Sequence, residues 1–291
     1  MRLDNRRMSN NVEDRRGSSG RGGRIAGFTG IGGLIVAALI VWLSGGNPLS
    51  VLNSAQPASE ATATEIRGDA ATSGKERQYA EFASKILAAT EDVWTEEFRR
   101  LGLEYEPPKM VLFTGSVNSA CGSATSQVGP FYCSADRTVY LDLSFFDEME
   151  RSMGAGGDFA FAYVIAHEVG HHVQNLLGTL PKTHNAMASA GQTEANQLSV
   201  RLELQADFYA GIWAYHDNRL FSSLEPGDIE EGLNAASRIG DDYLQKKARG
   251  YAVPETFNHG RSDQRVRWLE MGATTGDISR GDTFSPPYTR L

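Results

Sequence analysis

The stretch His167-Glu168-Val169-Gly170-His171 lies near the middle of the chain and decides how the rest is interpreted. In a helix, positions i and i+4 lie on one face, so His167 and His171 can bind one metal ion together. Glu168 lies one residue further round, where it can hold a water molecule on the open side of that ion. Two imidazoles, a third protein ligand and a water make a hydrolytic zinc centre. The alternative is a partly exposed helix with two incidental histidines.

The flanking sequence predicts that this motif lies in a long buried helix. Apolar residues dominate the stretch 159–177, and Asp158 and Gly178 are suitable residues for its two ends. Two histidines and a glutamate inside such a helix are costly to bury without a strong partner. The surroundings therefore favour a metal site over incidental histidines.

A third metal ligand has to come from elsewhere in the chain. Metzincins place Gly and His at the positions occupied here by Gln174 and Leu177, so that class is excluded. The next predicted helix, 192–217, carries Glu203 and Asp207 on one face. We expect Glu203 to bind the metal and Asp207 to accept the free ring N–H of a ligating histidine. A surface pair of carboxylates is the alternative.

Attack of water on a carbonyl produces a negatively charged oxygen, which needs a hydrogen-bond donor beside the metal. His259, followed by Arg265, is the best candidate because it lies in a predicted loop just before a helix. A surface histidine is the alternative. Four other residues are competing candidates for metal ligands: His172, His184, His216 and Glu194. We interpret the three histidines as bystanders.

The first part of the chain has a different composition from the rest. Residues 1–24 carry seven arginines against three acids and predict a disordered, basic, cytoplasmic tail. Residues 25–43 contain no charge over nineteen positions, a length that spans a bilayer as a helix. Residues 44–74 predict a flexible linker. The arginines precede the apolar run, so the sequence predicts a single-pass inner-membrane anchor with the following domain outside the cytoplasm. A cleaved signal peptide is the alternative.

Residues 75–273 predict one mainly helical α+β domain with a small sheet, and residues 274–291 an unstructured tail. Two predicted strands, 110–113 and 138–143, flank a loop at 114–137. We expect the second strand to hold an extended substrate by strand addition. The net charge of −8 and the lack of a basic stripe argue against nucleic acid as a partner.

The predicted loop contains the only two cysteines of the chain, Cys121 and Cys133. They are too few for a Cys₄ zinc site. Because the domain is expected outside the cytoplasm, we predict a disulfide between them.

Three separate motifs together resemble one known family. H-E-V-G-H-H-V-Q at 167–174, L-E-L-Q-A-D at 202–207 and H-G-x-S-x-Q-R at 259–265 resemble the bacterial putative neutral zinc metallopeptidases, a gluzincin-type group. The resemblance covers roughly residues 70–270 and implies a zincin-like fold.

Family resemblance also implies roles for individual residues. It implies zinc ligands at His167, His171 and Glu203, with Glu168 as general base. The last motif is similar to the H-P-x-x-x-x-R element of membrane-associated gluzincins, with Gly260 in place of the proline.

The sequence therefore predicts a membrane-anchored zinc metalloendopeptidase. Its Zn²⁺-activated water and Glu168 would hydrolyse bonds in a peptide or protein substrate, and residues 25–43 would contact the lipid bilayer. Two alternatives stay open: a non-catalytic, zinc-stabilised interaction domain, and a zinc amidase acting on cell-wall peptides. The sequence gives no indication of the oligomeric state.

Overall fold

The computed structural model describes residues 1–16 and 74–291. The predicted membrane span, 25–43, lies outside the described residues, as does nearly all of the predicted linker. None of the helices in the two described ranges has the length and apolar character that a bilayer crossing requires.

Helices make up most of the described part of the chain. They are α1 (Gly74–Arg100), α2 (Ser144–Glu148), α3 (Asp158–Leu176), α4 (Thr179–Ser189), α5 (Gln192–Phe221), α6 (Asp228–Arg238), α7 (Asp241–Arg249) and α8 (Ser262–Thr275). The strands are β1 (Val12–Asp14), β2 (Lys109–Phe113), β3 (Ser116–Ser119), β4 (Gly122–Thr125), β5 (Phe131–Cys133) and β6 (Thr138–Asp142). The prediction of a mainly helical α+β domain with a small sheet is confirmed.

Four strands form one mixed sheet in the order β1-β2-β6-β5. β1, β2 and β6 are parallel, and β5 runs antiparallel to β6. β6 is therefore paired on both sides, and the prediction that its stretch, 138–143, accepts a substrate strand is wrong. A strand can recruit a further strand only through an unpaired side, and here that condition is met by β1 and β5.

The sheet has an apolar face on each side because successive side chains in a strand point in opposite directions. One face packs on the helices, and the other packs under the hairpin of β3 and β4. The residues facing the helices are Met110, Leu112, Val139 and Leu141, and those facing the hairpin are Val111, Phe113 and Tyr140.

A disulfide joins Cys121, in the hairpin turn, to Cys133 at the end of β5. The predicted loop at 114–137 thus contains three short strands.

α5 is the central helix and packs against α1, α3, α4 and α8. Its contact with α8 is close enough to require glycine. A Cβ added at Gly211 would lie 2.3 Å from the carbonyl oxygen of Leu269, and one added at Gly272 would lie 2.2 Å from that of Phe208. α5 and α8 are thus held at a fixed short separation, which matters because both lead to the candidate site.

The prediction of a disordered N-terminal tail is wrong for residues 1–16. β1 pairs with β2 in the register Val12↔Met110, and Ser9 is buried against α1. The segment is polar, and a polar composition predicts disorder, but Arg6, Arg7 and Ser9 have partners on the domain.

The C-terminal tail is also ordered, contrary to the prediction for residues 274–291. Arg201 of α5 donates hydrogen bonds to the carbonyl oxygens of Phe284 and Pro286, at 3.1 and 3.0 Å. Leu291 is 4% exposed and belongs to the main core. Side chains of α5 and α8, with Arg201 making several of the contacts, thus fix a segment that lacks regular periodicity.

Candidate metal centre

Three side chains from two helices converge at one point. His167 and His171 project from α3, one turn apart, and Glu203 faces them from α5. The Nε2 atom of His167 lies 3.2 Å from Glu203 Oε2, and the Nε2 atom of His171 lies 3.4 Å from Glu203 Oε1. One ligand atom from each residue falls within 4.8 Å of the others. The three residues predicted as ligands are therefore brought together.

The spacing of these atoms fits a tetrahedral zinc ion. Bonds of about 2.0–2.1 Å to nitrogen and oxygen place neighbouring ligand atoms about 3.3 Å apart at the tetrahedral angle. Each imidazole lies close to that value from one oxygen of Glu203, His167 at 3.2 Å from Oε2 and His171 at 3.4 Å from Oε1, and one ligand atom from each residue lies within 4.8 Å of the others. Two imidazoles and one carboxylate leave a fourth position free, as in catalytic rather than structural zinc sites.

The Nδ1 atom of His167 is held on the side away from this point. It donates to Asp207 Oδ1 at 2.8 Å, because a carboxylate can only accept. Asp207 is fully buried; it also accepts two hydrogen bonds from Arg265, at 2.8 and 2.9 Å, and one from the Tyr163 hydroxyl at 2.6 Å. The proton on Nδ1 leaves the Nε2 lone pair directed at the point of convergence.

His171 has an equivalent support made from neutral groups. Its Nδ1 atom lies 2.9 Å from Gln174 Oε1. The Gln174 amide nitrogen donates to Leu202 O at 2.7 Å and to Gln205 Oε1 at 3.1 Å, which fixes the orientation of the amide. Its oxygen must then accept from His171, so the Nε2 lone pair of this imidazole also faces Glu203.

The electrostatics of the site favour a cation. Burial opposes a charge on His167, but Asp207 and Glu203 outweigh it and raise the pKa of His167 to about 10. Burial likewise opposes the ionised Glu203, yet the two imidazoles hold its pKa well below the usual range. Nitrogen lone pairs and a carboxylate at this separation repel each other unless positive charge lies between them. A proton or a divalent ion meets that need.

Glu168 lies beside the ligands without binding to them. Burial raises the pKa of its carboxyl group. Within residues 1–16 and 74–291, no donor hydrogen-bonds to its side chain. A carboxylate with a raised pKa and free oxygens is suited to accept a proton from water.

His259 is held by a single buried carboxylate, Asp241. The Oδ2 atom of Asp241 accepts the backbone N–H groups of Asn258, His259 and Gly260 at 2.8, 2.7 and 3.0 Å. Its Oδ1 atom lies 3.2 Å from Nδ1 of His259. Burial lowers the pKa of this imidazole, but Asp241 and Glu203 reverse the effect, so the pKa is raised overall. Glu203 is close enough to act on the charge of this imidazole, and the Nε2 atom of His259 has no hydrogen-bond partner among the described residues.

Arg265, which follows His259 in the sequence motif, is buried behind the metal ligands. Its guanidinium is 3% exposed and is engaged with Asp207, and it lies 4.0 Å from Glu203 Oε2. Arg265 therefore acts behind the ligands and not at the substrate side.

The two helices that carry the ligands touch at Gly170. A Cβ added there would lie 2.9 Å from Ala206 O and 3.1 Å from Ala206 Cα. Gly170 lies between the two histidines in sequence, and Ala206 lies between Glu203 and Asp207. The absence of a side chain at this contact therefore sets the distance between the ligands.

β5 is joined to the metal helix by a chain of hydrogen bonds. The Tyr132 hydroxyl lies 2.9 Å from His172 Nδ1, and the other ring nitrogen lies 2.7 Å from Glu106 O. Asn175 donates to the same hydroxyl at 3.1 Å. Burial lowers the pKa of His172 to about 4, so the ring is neutral and joins the two elements as donor and acceptor. His172, interpreted as a bystander to the metal, thus fixes the edge strand β5 against α3.

Comparison with known proteins agrees with this arrangement. The family model described as putative neutral zinc metallopeptidase matches residues 1–284. The chain belongs to this family. Membership implies Zn²⁺ as the metal, and the His-His-Glu group described above is positioned to bind it.

Two similar bacterial proteins are both named as uncharacterized. The chain is 48% identical to the uncharacterized protein YpfJ of Escherichia coli K12, over 98% of this chain and 99% of that protein. It is 46% identical to the uncharacterized protein Rv2575 of Mycobacterium tuberculosis, over 62% of this chain and 64% of that protein. No solved structure matches the chain.

Sequence reasoning missed several residues that build the site. Gln174 serves in the sequence analysis only to exclude metzincins, and Tyr163, inside the predicted helix 159–177, has no role there. Asp241 lies eighteen positions before His259, and no spacing rule links them. A glutamine three residues after the second histidine was the available signal, since that spacing places it on the same helix face.

Proposed function

We propose that this protein is a zinc-dependent peptidase that hydrolyses peptide bonds. The observation that carries the proposal is the convergence of two Nε2 atoms and one carboxylate, 3.2 and 3.4 Å apart, beside an unbonded, buried Glu168. Zinc, when bound, supplies a Lewis acid that activates water and polarises a carbonyl. Family membership supports a peptidase over other zinc hydrolases.

Each protein group then has a defined task. His167, His171 and Glu203 hold the metal. Glu168 accepts a proton from the attacking water and returns it to the leaving amine. His259, oriented by Asp241, donates a hydrogen bond to the oxygen that becomes negative.

The substrate would bind in an extended conformation along β5. This strand lies at an edge of the sheet and packs against α3, the helix of the motif. An extended peptide can add to such an edge through main-chain hydrogen bonds. The bond from Tyr132 to His172 would keep that edge in register with the metal ligands.

We also propose that the enzyme works outside the cytoplasm, at a membrane. The disulfide between Cys121 and Cys133 favours an oxidising compartment. The nineteen uncharged residues at 25–43 favour membrane attachment.

The substitution Glu168→Gln tests the proposed reaction. It removes the proton acceptor but keeps the size and the metal ligands, so we expect unchanged zinc content and at least about a 100-fold loss of activity on an unfolded protein substrate. Zinc is measured by atomic absorption and cleavage by release of new amino termini. Glu230→Gln, on the exposed surface of α6, is the matched control and should retain full activity. Turnover retained in Glu168→Gln, or a folded wild type that does not bind zinc, would rule the proposal out.

A further inference from the structure

The N-terminal segment, residues 1–16, is built into the domain by backbone pairing. The Met110 N–H donates to Asn11 O, and the Arg15 N–H donates to Leu112 O, both at 2.8 Å. These bonds extend the sheet by one strand and cover one side of β2. The segment therefore completes the sheet and does not merely lie on its surface.

Two carboxylates of the domain depend on this segment for their partners. Asp217 of α5 is 1% exposed at its side chain and pairs with Arg6 at 2.7 Å, and Arg6 also lies 3.6 Å from the Phe221 ring centroid. Glu91 of α1 accepts the Ser9 hydroxyl at 2.6 Å. Removing one partner from a buried charge leaves it uncompensated, which is strongly unfavourable. The docked segment is thus part of the native domain.

The arginines that predicted a cytoplasmic N-terminus are engaged in these contacts. Five of the seven arginines before residue 25 lie within the described segment, and they face carboxylates of the domain or of the segment itself. The pairs are Arg2–Glu225, Arg6–Asp217, Arg7–Asp92, Arg15–Glu13 and Arg16–Asp14. These arginines therefore belong to the folded domain and not to a free tail.

A single membrane crossing is incompatible with this docking. The apolar run 25–43 lies between the docked segment and the domain in sequence. A helix that crosses once puts its two ends on opposite sides of about 30 Å of hydrocarbon. The paired atoms are 2.8 Å apart and cannot be on opposite sides. Docking onto the domain of a second, equally oriented copy of the chain does not remove the conflict. The N-terminus of that copy would also lie across the bilayer from both domains.

We propose that, in the membrane-attached protein, residues 1–16 and residues 74–291 lie on the same side of the membrane. This inference does not depend on the proposed peptidase activity. The 57 residues from 17 to 73 are long enough to reach a bilayer and return. The family model, which begins at residue 1, includes the docked segment.

The first test is labelling of single cysteines in the full-length chain. Arg2→Cys and Leu103→Cys place a thiol at positions 58% and 50% exposed, one in the segment and one in the domain. A membrane-impermeant maleimide is added to intact spheroplasts and then after lysis, and labelled peptides are identified by mass. We expect both positions to react at the same stage. One position reacting before lysis and the other only after it would overturn the proposal.

The second test asks whether docking occurs in the membrane-bound chain. The Ser9 N–H donates to Ser84 Oγ at 3.1 Å, so these two residues are in direct contact. Ser9→Cys with Ser84→Cys should form a cross-link in the full-length chain on mild oxidation, detected as a linked peptide, whereas either single variant should not. An absent link in a folded, zinc-binding protein, or a mature chain that lacks residues 1–16, would overturn the proposal.

Discussion

His167 and His259 are each held by a buried aspartate, but one aspartate supports metal binding and the other supports the reaction. Asp207 holds the imidazole of a metal ligand, and Asp241 holds the loop and ring of a residue that does not bind the metal. The same substitution at each position should therefore have separable effects, because one support acts on binding and the other on the reaction.

Asp207→Asn should weaken zinc binding by about 10–100-fold, because the carboxylate that holds His167 and pairs with Arg265 loses its charge. Asp241→Asn should leave zinc affinity unchanged and lower kcat by about 10–100-fold, because a displaced donor no longer meets the developing charge. Zinc competition with a chelating dye measures the first quantity, and steady-state kinetics the second. Each variant is the control for the other, and equal effects on both quantities would contradict the assignment.

The separation of helices α3 and α5 decides whether the ligands meet. Gly170→Ala would place a methyl group 2.9 Å from Ala206 O, so the helices must move apart by a few tenths of an ångström. We expect weaker zinc binding and a loss of about 1–3 kcal/mol in the free energy of unfolding. Gly191→Ala, just before α5 and with nothing within 4 Å, is the control and should change neither quantity appreciably. For both variants, denaturant titration with and without zinc measures the free energy of unfolding and its increase on zinc binding.

At the scale of helices and strands, the sequence predicted elements correctly where a periodic apolar pattern extended over many residues. α3 and α5 have 19 and 30 residues, and the predicted helices 159–177 and 192–217 match their bounds within a few positions. β1, β3, β4 and β5 have three or four residues each. A strand that short cannot show an alternation, and its pairing depends on residues far away in the chain.

The ordered termini were missed for a related reason. Residues 1–16 are held by ion pairs and backbone pairing, which hydropathy does not register. The HExxH motif, by contrast, predicted its three residues directly because the chemistry fixes their spacing. Glu203 was reached by elimination, and His172 was missed because its partners, Tyr132 and Glu106, lie on distant elements.

At the scale of the whole molecule, the metal joins two helices that are central to the core. Removing zinc with a chelator should lower the midpoint of thermal unfolding, because an ion that binds only the folded state stabilises it. The gain is about 2.7 kcal/mol when free zinc is 100 times its dissociation constant. Glu203→Ala should abolish the difference between zinc-loaded and zinc-free protein. A midpoint that does not respond to zinc in the wild type would be inconsistent with binding at this site.

Pairing of β1 with β2 has a practical consequence for recombinant work. A fragment starting at residue 74 would look like the natural choice for crystallisation, since it retains α1 to α8 and the metal centre. It would nevertheless expose the Met110 N–H and the Leu112 carbonyl along an apolar strand, and leave Asp217 without its arginine. Strands exposed in this way associate with one another between molecules. Such a fragment should precipitate or oligomerise during purification, and supplying the first sixteen residues as a separate peptide or a fusion should restore a soluble monomer.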